Sequence, residues 1–261
     1  MLTIQPIPDV YRSPCGHPGC LESFPVPGFS TATVYLPAGY APDGAYPVFY
    51  LLHGGGGNEH AFFSPDGELK QILDHLIADR RMDPMIVVAP TYYPDGAVAK
   101  TPGMSGIYVR DFIPVLANTV IPLVEQRYAA IPDRKRRAVG GFSMGGVATW
   151  YAMLNGTAFF RWFMPLSGDC WVCGEKGGGD HPDETASILA DALRGKDFRA
   201  LVLTGDQDIA YPNLNPQMLA MEKHPEVFGG RVEYSVMPGG VHDYETMRIY
   251  LCSALPALFR D

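Results

Sequence analysis

The stretch Arg137-Ala138-Val139-Gly140-Gly141-Phe142-Ser143-Met144-Gly145-Gly146-Val147-Ala148-Thr149-Trp150 decides the fold. A short apolar run leads into a serine with glycine two residues before it and two after it, and a helix-like run follows. That is the strand, sharp turn and helix of a nucleophile elbow. Glycine is needed on both sides because a side chain there would clash in a turn that strains the serine backbone. Ser143 is therefore the candidate nucleophile, and the amide of Met144, directly after it, is one candidate donor to an oxyanion.

Working outward, strand-like and helix-like segments alternate, which predicts a mostly parallel sheet with helices on both faces. After an irregular, Pro-rich entry over residues 1–30, residues 31–36 and 47–52 read as strands. Residues 68–80 carry apolar positions at Leu69, Ile72, Leu73, Leu76 and Ile77, the spacing of a helix with one buried face. Residues 85–89 read as a strand, 90–106 as a long loop able to wall a pocket, and 107–128 as mostly helix despite Pro114 and Pro122. Further strands are expected at 162–166, 198–204 and 231–237, and a helix from about 183 to 193. Gly174 to Asp180 reads as a mobile surface loop and Arg134 to Arg137 as a solvated turn. No linker or repeat divides the 261 residues, so one domain is expected over 1–261.

The formal net charge of -8 excludes a chain built to hold nucleic acid or an anionic membrane surface, both of which reward clustered Lys and Arg. No stretch reads as apolar for long enough to span a bilayer. The first residues lack the layout of a signal peptide, so the protein is either cytoplasmic or exported with its signal already removed. Five cysteines leave the compartment open. Cys15, Cys20, Cys170 and Cys173 are spaced poorly for zinc, since Gly and Pro separate the first pair, and no metal is expected. Cys252 reads as a buried small hydrophobe.

A serine hydroxyl attacks an ester only if a base takes its proton and an acid holds that base in the right tautomer. In the α/β-hydrolase arrangement the order along the chain is nucleophile, acid, base. Of His181, His224 and His242, only His242 follows a strand through a glycine-rich turn just before the last helix, in Pro238-Gly239-Gly240-Val241-His242-Asp243. Asp206 and Asp208 both follow the 198–204 strand. Spacing favours Asp208, because an intervening turn lets it reach the histidine loop, while Asp206 could cap that turn. The second oxyanion donor is expected in His53-Gly54-Gly55-Gly56-Gly57, at Gly55. This run lacks the Lys-Ser/Thr ending of a phosphate loop, and His53 reads as a brace for it.

Taken together, residues 53–58, 141–145, Met164-Pro165-Leu166-Ser167-Gly168-Asp169, Thr204-Gly205-Asp206-Gln207-Asp208-Ile209-Ala210-Tyr211 and the His242 turn resemble carbohydrate esterase family one. The resemblance is strongest to the feruloyl esterase modules attached to bacterial xylanases and runs from about Tyr11 to Phe259. It implies an α/β-hydrolase fold, the acid at Asp208, no cofactor, export from the cell, and a substrate in which ferulate or a related hydroxycinnamate is esterified to a sugar of plant cell-wall arabinoxylan. It also implies substrate-binding roles for Trp171 and Ile209. Similar proteins tend to carry an aromatic where this chain has Cys170. Members of the family that cleave acetyl or other small acyl esters share the triad, and a non-catalytic carbohydrate-binding relative would lack one of its members.

Overall fold

The computed structural model describes residues 2–97 and 102–260, with the side chains of 102–104 left aside; part of the expected 90–106 loop therefore lies outside the described residues. Eight strands form one sheet in the order β1-β2-β4-β3-β5-β6-β7-β8. These are β1 (Cys20–Val26), β2 (Phe29–Leu36), β3 (Val48–Leu52), β4 (Ile86–Pro90), β5 (Arg137–Phe142), β6 (Trp162–Leu166), β7 (Arg199–Gly205) and β8 (Val232–Met237). From β4 onward every pairing is parallel, whereas β1 and β2 run antiparallel to their neighbours. The sheet is the mostly parallel one that the alternation predicts, and it is the fold of an α/β-hydrolase.

The central strands are buried along their whole length, because helices cover both faces. Strand alternation sends Val48, Tyr50 and Leu52 into one core cluster and Phe49 and Leu51 into the other. The first cluster lies under α2 (Pro102–Val115), α3 (Ile121–Arg127), α4 (Met144–Asn155), α6 (Pro182–Leu193) and α7 (Tyr211–Met221). The second lies under α1 (Leu69–Ala78) and α9 (Tyr244–Ala254). Two short helices, α5 (Gly177–Asp180) and α8 (Pro225–Phe228), complete the set.

Four expectations need correction. Residues 1–30 are not irregular throughout. Pro27 and Gly28, the latter at φ 77°, turn β1 into β2, and the register shift at Pro25/Val26 lets a proline sit in an edge strand. Gly174 to Asp180 is not a free loop, since it closes into α5 with Gly177 and Gly178 buried. The basic run is only partly solvated. Arg137 is buried and paired with Glu125, and Arg134 donates to the carbonyls of Thr157, Phe160 and Asp197.

The fourth concerns membrane length. Ser105–Arg127 is a continuous 23-residue helical run whose most apolar 18-residue window has a mean hydropathy of 1.4, long and apolar enough to cross a bilayer by length and composition. Its three charged residues before Arg127, namely Arg110, Asp111 and Glu125, and its two prolines hide that continuity in the sequence. Pro122 has no amide to give and would clash with the carbonyl four residues back, and the helix widens to a π turn over Leu116–Val120. In the fold this run is a core element: Val109, Phe112, Leu116, Val120 and Val124 are buried under the sheet.

Candidate active site

Ser143 sits at the tip between β5 and α4 with φ 59° and ψ -118°, outside the regions that residues with a Cβ normally occupy. The turn can form because α4 lies against β3. A Cβ on Gly145 would stand 1.9 Å from the Leu52 carbonyl oxygen, and one on Gly141 2.4 Å from it. Only glycine allows that approach.

The loops after β7 and β8 are brought together by a second close approach, where a Cβ on Gly205 would stand 2.1 Å from the Gly240 carbonyl oxygen. Gln207 N–H donates to the Gly240 carbonyl at 3.0 Å, and Gly239 N–H donates to Asp206 at 2.7 Å. Asp206 thus fastens the histidine loop, while Asp208 points inward to it. Asp243 starts α9 by accepting the Thr246 N–H, which fixes the residue just before it.

His242 is placed by these contacts and by stacking on Phe142 at 4.6 Å. Its Nε2 lies 2.8 Å from Ser143 Oγ and its Nδ1 2.7 Å from Asp208 Oδ1. Asp208 is buried, and the same Oδ1 accepts the Ala210 N–H at 2.8 Å. A carboxylate against Nδ1 selects the tautomer that leaves the Nε2 lone pair facing the serine. The geometry brings together the nucleophile, base and acid expected from the sequence.

The relay opens into a cavity of about 420 Å³. Gly55, Ser143, Met144, Trp171, Ile209 and His242 all line it, while Asp208, the remaining residue expected at the site, is buried behind His242. Trp171 forms a wall whose indole N–H donates to Asp169 at 3.1 Å, with Gly106 tucked against its six-membered ring. Ile209 is 74% exposed at the rim. Burial pushes the Asp169 carboxyl up, against the lowering effect of N–H bonds from Trp171 and Gly178. Cys170 is fully buried behind this wall, where burial pushes its thiol up and away from reactivity. All five cysteines are unpaired.

Asp169, which ends the Ser167-Gly168-Asp169 motif, faces the cavity too; Lys176, Asn213 and Ser105 also face it and carry no signal in the sequence, because they arrive from three separate segments. Tyr92 is a further residue that sequence reasoning misses: its hydroxyl donates to the Gly54 carbonyl at 2.9 Å, beneath the glycine loop.

Residues 28–256 match the model of a protein family described as "Putative esterase". The chain belongs to this esterase family. Endo-1,4-beta-xylanase Y of Acetivibrio thermocellus is 36% identical over 98% of the esterase, which spans 25% of that protein's length. An endo-1,4-beta-xylanase/feruloyl esterase of Xylanibacter ruminicola is 29% identical over 88% of the esterase and is likewise much longer, with 29% of its length covered. Among solved structures, a serine-to-alanine mutant of the feruloyl esterase module from Clostridium thermocellum, complexed with sinapinate, superposes with a TM-score of 0.83. It is 34% identical and is covered over 94% of its length by 99% of the esterase. A ferulic acid esterase from Anaeromyces mucronatus shares the fold at a TM-score of 0.80 and 21% identity, with 99% and 98% of the two chains covered. The resemblance to xylanase-attached feruloyl esterase modules drawn from the motifs is thereby met by the comparisons.

Proposed function

We propose that this esterase is a feruloyl esterase, cleaving ferulate or a related hydroxycinnamate from the sugars of plant cell-wall arabinoxylan through an acyl-enzyme. The observation that carries the reading is the hydrogen-bonded line Asp208–His242–Ser143 opening into a cavity walled by an indole. An acetyl group would leave most of 420 Å³ unfilled, which favours an aromatic acyl group over a small one. Similarity to a module seen with sinapinate, itself a hydroxycinnamate, supports the same class.

In the first half of the reaction, Ser143 Oγ attacks the ester carbonyl carbon as His242 Nε2 takes its proton. The amides of Gly55 and Met144 donate to the oxyanion, each such donor being worth about a hundredfold or more in rate. When the tetrahedral adduct collapses, the proton on His242 goes to the departing sugar oxygen. In the second half, water gives its proton to His242 and attacks the acyl carbon, and the proton returns to Ser143 as the hydroxycinnamate leaves. Asp208 holds the Nδ1 proton by its hydrogen bond and stabilises the imidazolium. Trp171 stacks on the acyl ring and Ile209 contacts it at the rim. Lys176 and Asn213 offer hydrogen bonds to the ring's oxygen substituents.

Initial rates on methyl ferulate and p-nitrophenyl acetate, for the native protein and Ser143→Ala, test this reading. Ferulate turnover that disappears in the variant is the expected result. Acetate cleavage without ferulate cleavage would move the substrate to short-chain esters, and unchanged rates in the variant would remove Ser143 as nucleophile. The natural substrate lies in plant cell walls, and the reading places the esterase outside the cell, alone or joined to a xylan-degrading partner as its relatives are.

A further inference from the structure

The glycine loop after β3 holds four glycine amides, and the protein itself engages two of them. Gly57 N–H donates to the Gly54 carbonyl at 3.1 Å and Gly56 N–H to the Tyr93 hydroxyl at 3.1 Å. Gly54 and Gly55 N–H make no hydrogen bond among the described residues, and of the two only Gly55 borders the catalytic cavity. The Gly54 carbonyl, across the same peptide unit, is by contrast saturated: besides Gly57 it accepts from His53 Nδ1 at 2.8 Å and from the Tyr92 hydroxyl at 2.9 Å. A carbonyl oxygen offers two lone pairs, so three donors fill it.

In a trans peptide the C=O and the next N–H point in opposite directions. Donors that hold the Gly54 oxygen back against Tyr92 and His53 therefore aim the Gly55 N–H the other way. The catalytic pocket adjoins this residue: Gly55 borders the cavity together with Ser143 and Met144, and a Cβ on Gly55 would stand 3.2 Å from the Met144 side chain. Donation into a carbonyl also polarises its own amide, which strengthens the N–H as a donor. We infer that Tyr92 and His53 are positioning residues of the oxyanion hole, acting through the Gly54 carbonyl to orient and polarise the Gly55 N–H.

The inference rests on the esterase mechanism above. His53 suits the role because its tautomer is fixed from both ends. Nδ1 faces an acceptor and must carry the proton, and Nε2, 3.0 Å from Thr91 Oγ1, accepts the threonine proton. Its ring stacks on Tyr92 at 4.1 Å, so the two donors form one packed unit. Burial keeps this imidazole neutral, with its pKa lowered to about 4.

The test compares wild type, Tyr92→Phe, His53→Asn and His53→Leu in kcat and KM on methyl ferulate. It adds inhibition by a trifluoromethyl ketone analogue, whose serine adduct carries an oxyanion, and by free ferulate, which forms no adduct. Tyr92→Phe is expected to lower kcat on the order of tenfold with KM within about twofold. The ketone Ki should rise by a similar factor while the ferulate Ki holds. An unchanged kcat, or a loss that falls on KM and ferulate binding, overturns the inference. Tyr92 is fully buried, so the histidine pair gives an independent reading. Asn places an amide N–H where Nδ1 stood and Leu places none, so His53→Asn should keep several times the kcat of His53→Leu; equal values overturn the proposal. A wild type that cleaves p-nitrophenyl acetate but not ferulate would sink the acyl assignment alone, and the same ratios measured on acetate would still judge the hole.

Discussion

Ser143 spends its time in a backbone conformation that costs a residue with a Cβ about 1–3 kcal/mol. Replacing it with glycine removes that cost along with the nucleophile. Ser143→Gly is expected to abolish ester cleavage while stabilising the fold by about 1 kcal/mol, read from the urea midpoint; equal or lower stability than Ser143→Ala would contradict the strain. Asp208→Asn keeps the shape but favours the wrong histidine tautomer, and kcat should fall on the order of 10⁴ with KM little changed. His53 adds a pH signature. Burial lowers its pKa from 6.5 to about 4, against the opposing pull of the Gly54 carbonyl and Glu59. The unfolded chain takes up this proton below about pH 6.5 and the folded one does not until about pH 4, so stability falls across that window by up to about 3 kcal/mol. Melting curves of His53→Asn should lack that part of the acid loss. The candidate nucleophile and base were legible in the sequence because each needs a local glycine pattern. Spacing favoured Asp208 over Asp206 only by a turn, since the choice depends on which carboxylate faces a loop more than 30 residues away.

Between elements, the close contact of β3, β5 and α4 carries the elbow. A methyl group at Gly145 cannot be absorbed by a flexible neighbour, because the Leu52 carbonyl it would strike is part of the central sheet. Gly145→Ala should cost about 3 kcal/mol or more and give little soluble protein. A denaturation midpoint within error of wild type would show that α4 can shift away. The parallel strands were readable because burial on both faces leaves unbroken apolar runs. The β1 edge was not, since Cys20–Val26 buries only Phe24 and Val26 and carries a proline. The α5 turn hides for a different reason. Its order comes from Asp169 and Gln217, distant residues that fill the space beside its glycines, and nothing in Gly-Gly-Gly-Asp itself demands a helix.

For the molecule as a whole, a net charge of -8 and a site lined mainly by neutral groups imply recognition without electrostatic steering. Rates on feruloylated arabinoxylan should change by less than about twofold between 20 and 300 mM salt; a steep decline would reveal an ionic docking surface. The candidate catalytic groups all stand at the carboxyl ends of parallel strands of one sheet: the glycine loop after β3, Ser143 after β5, Asp208 after β7 and His242 after β8. Their separations are thus set by the spacing of hydrogen-bonded backbones, a ruler that side-chain replacement scarcely alters. The indole wall comes from the segment after β6, between the strands that carry Ser143 and Asp208, and its loop answers to no such ruler. A lineage built on this sheet can exchange one kind of ester for another by rewriting that loop while inheriting its chemistry intact, so neighbours in evolution need share the cut and not the meal.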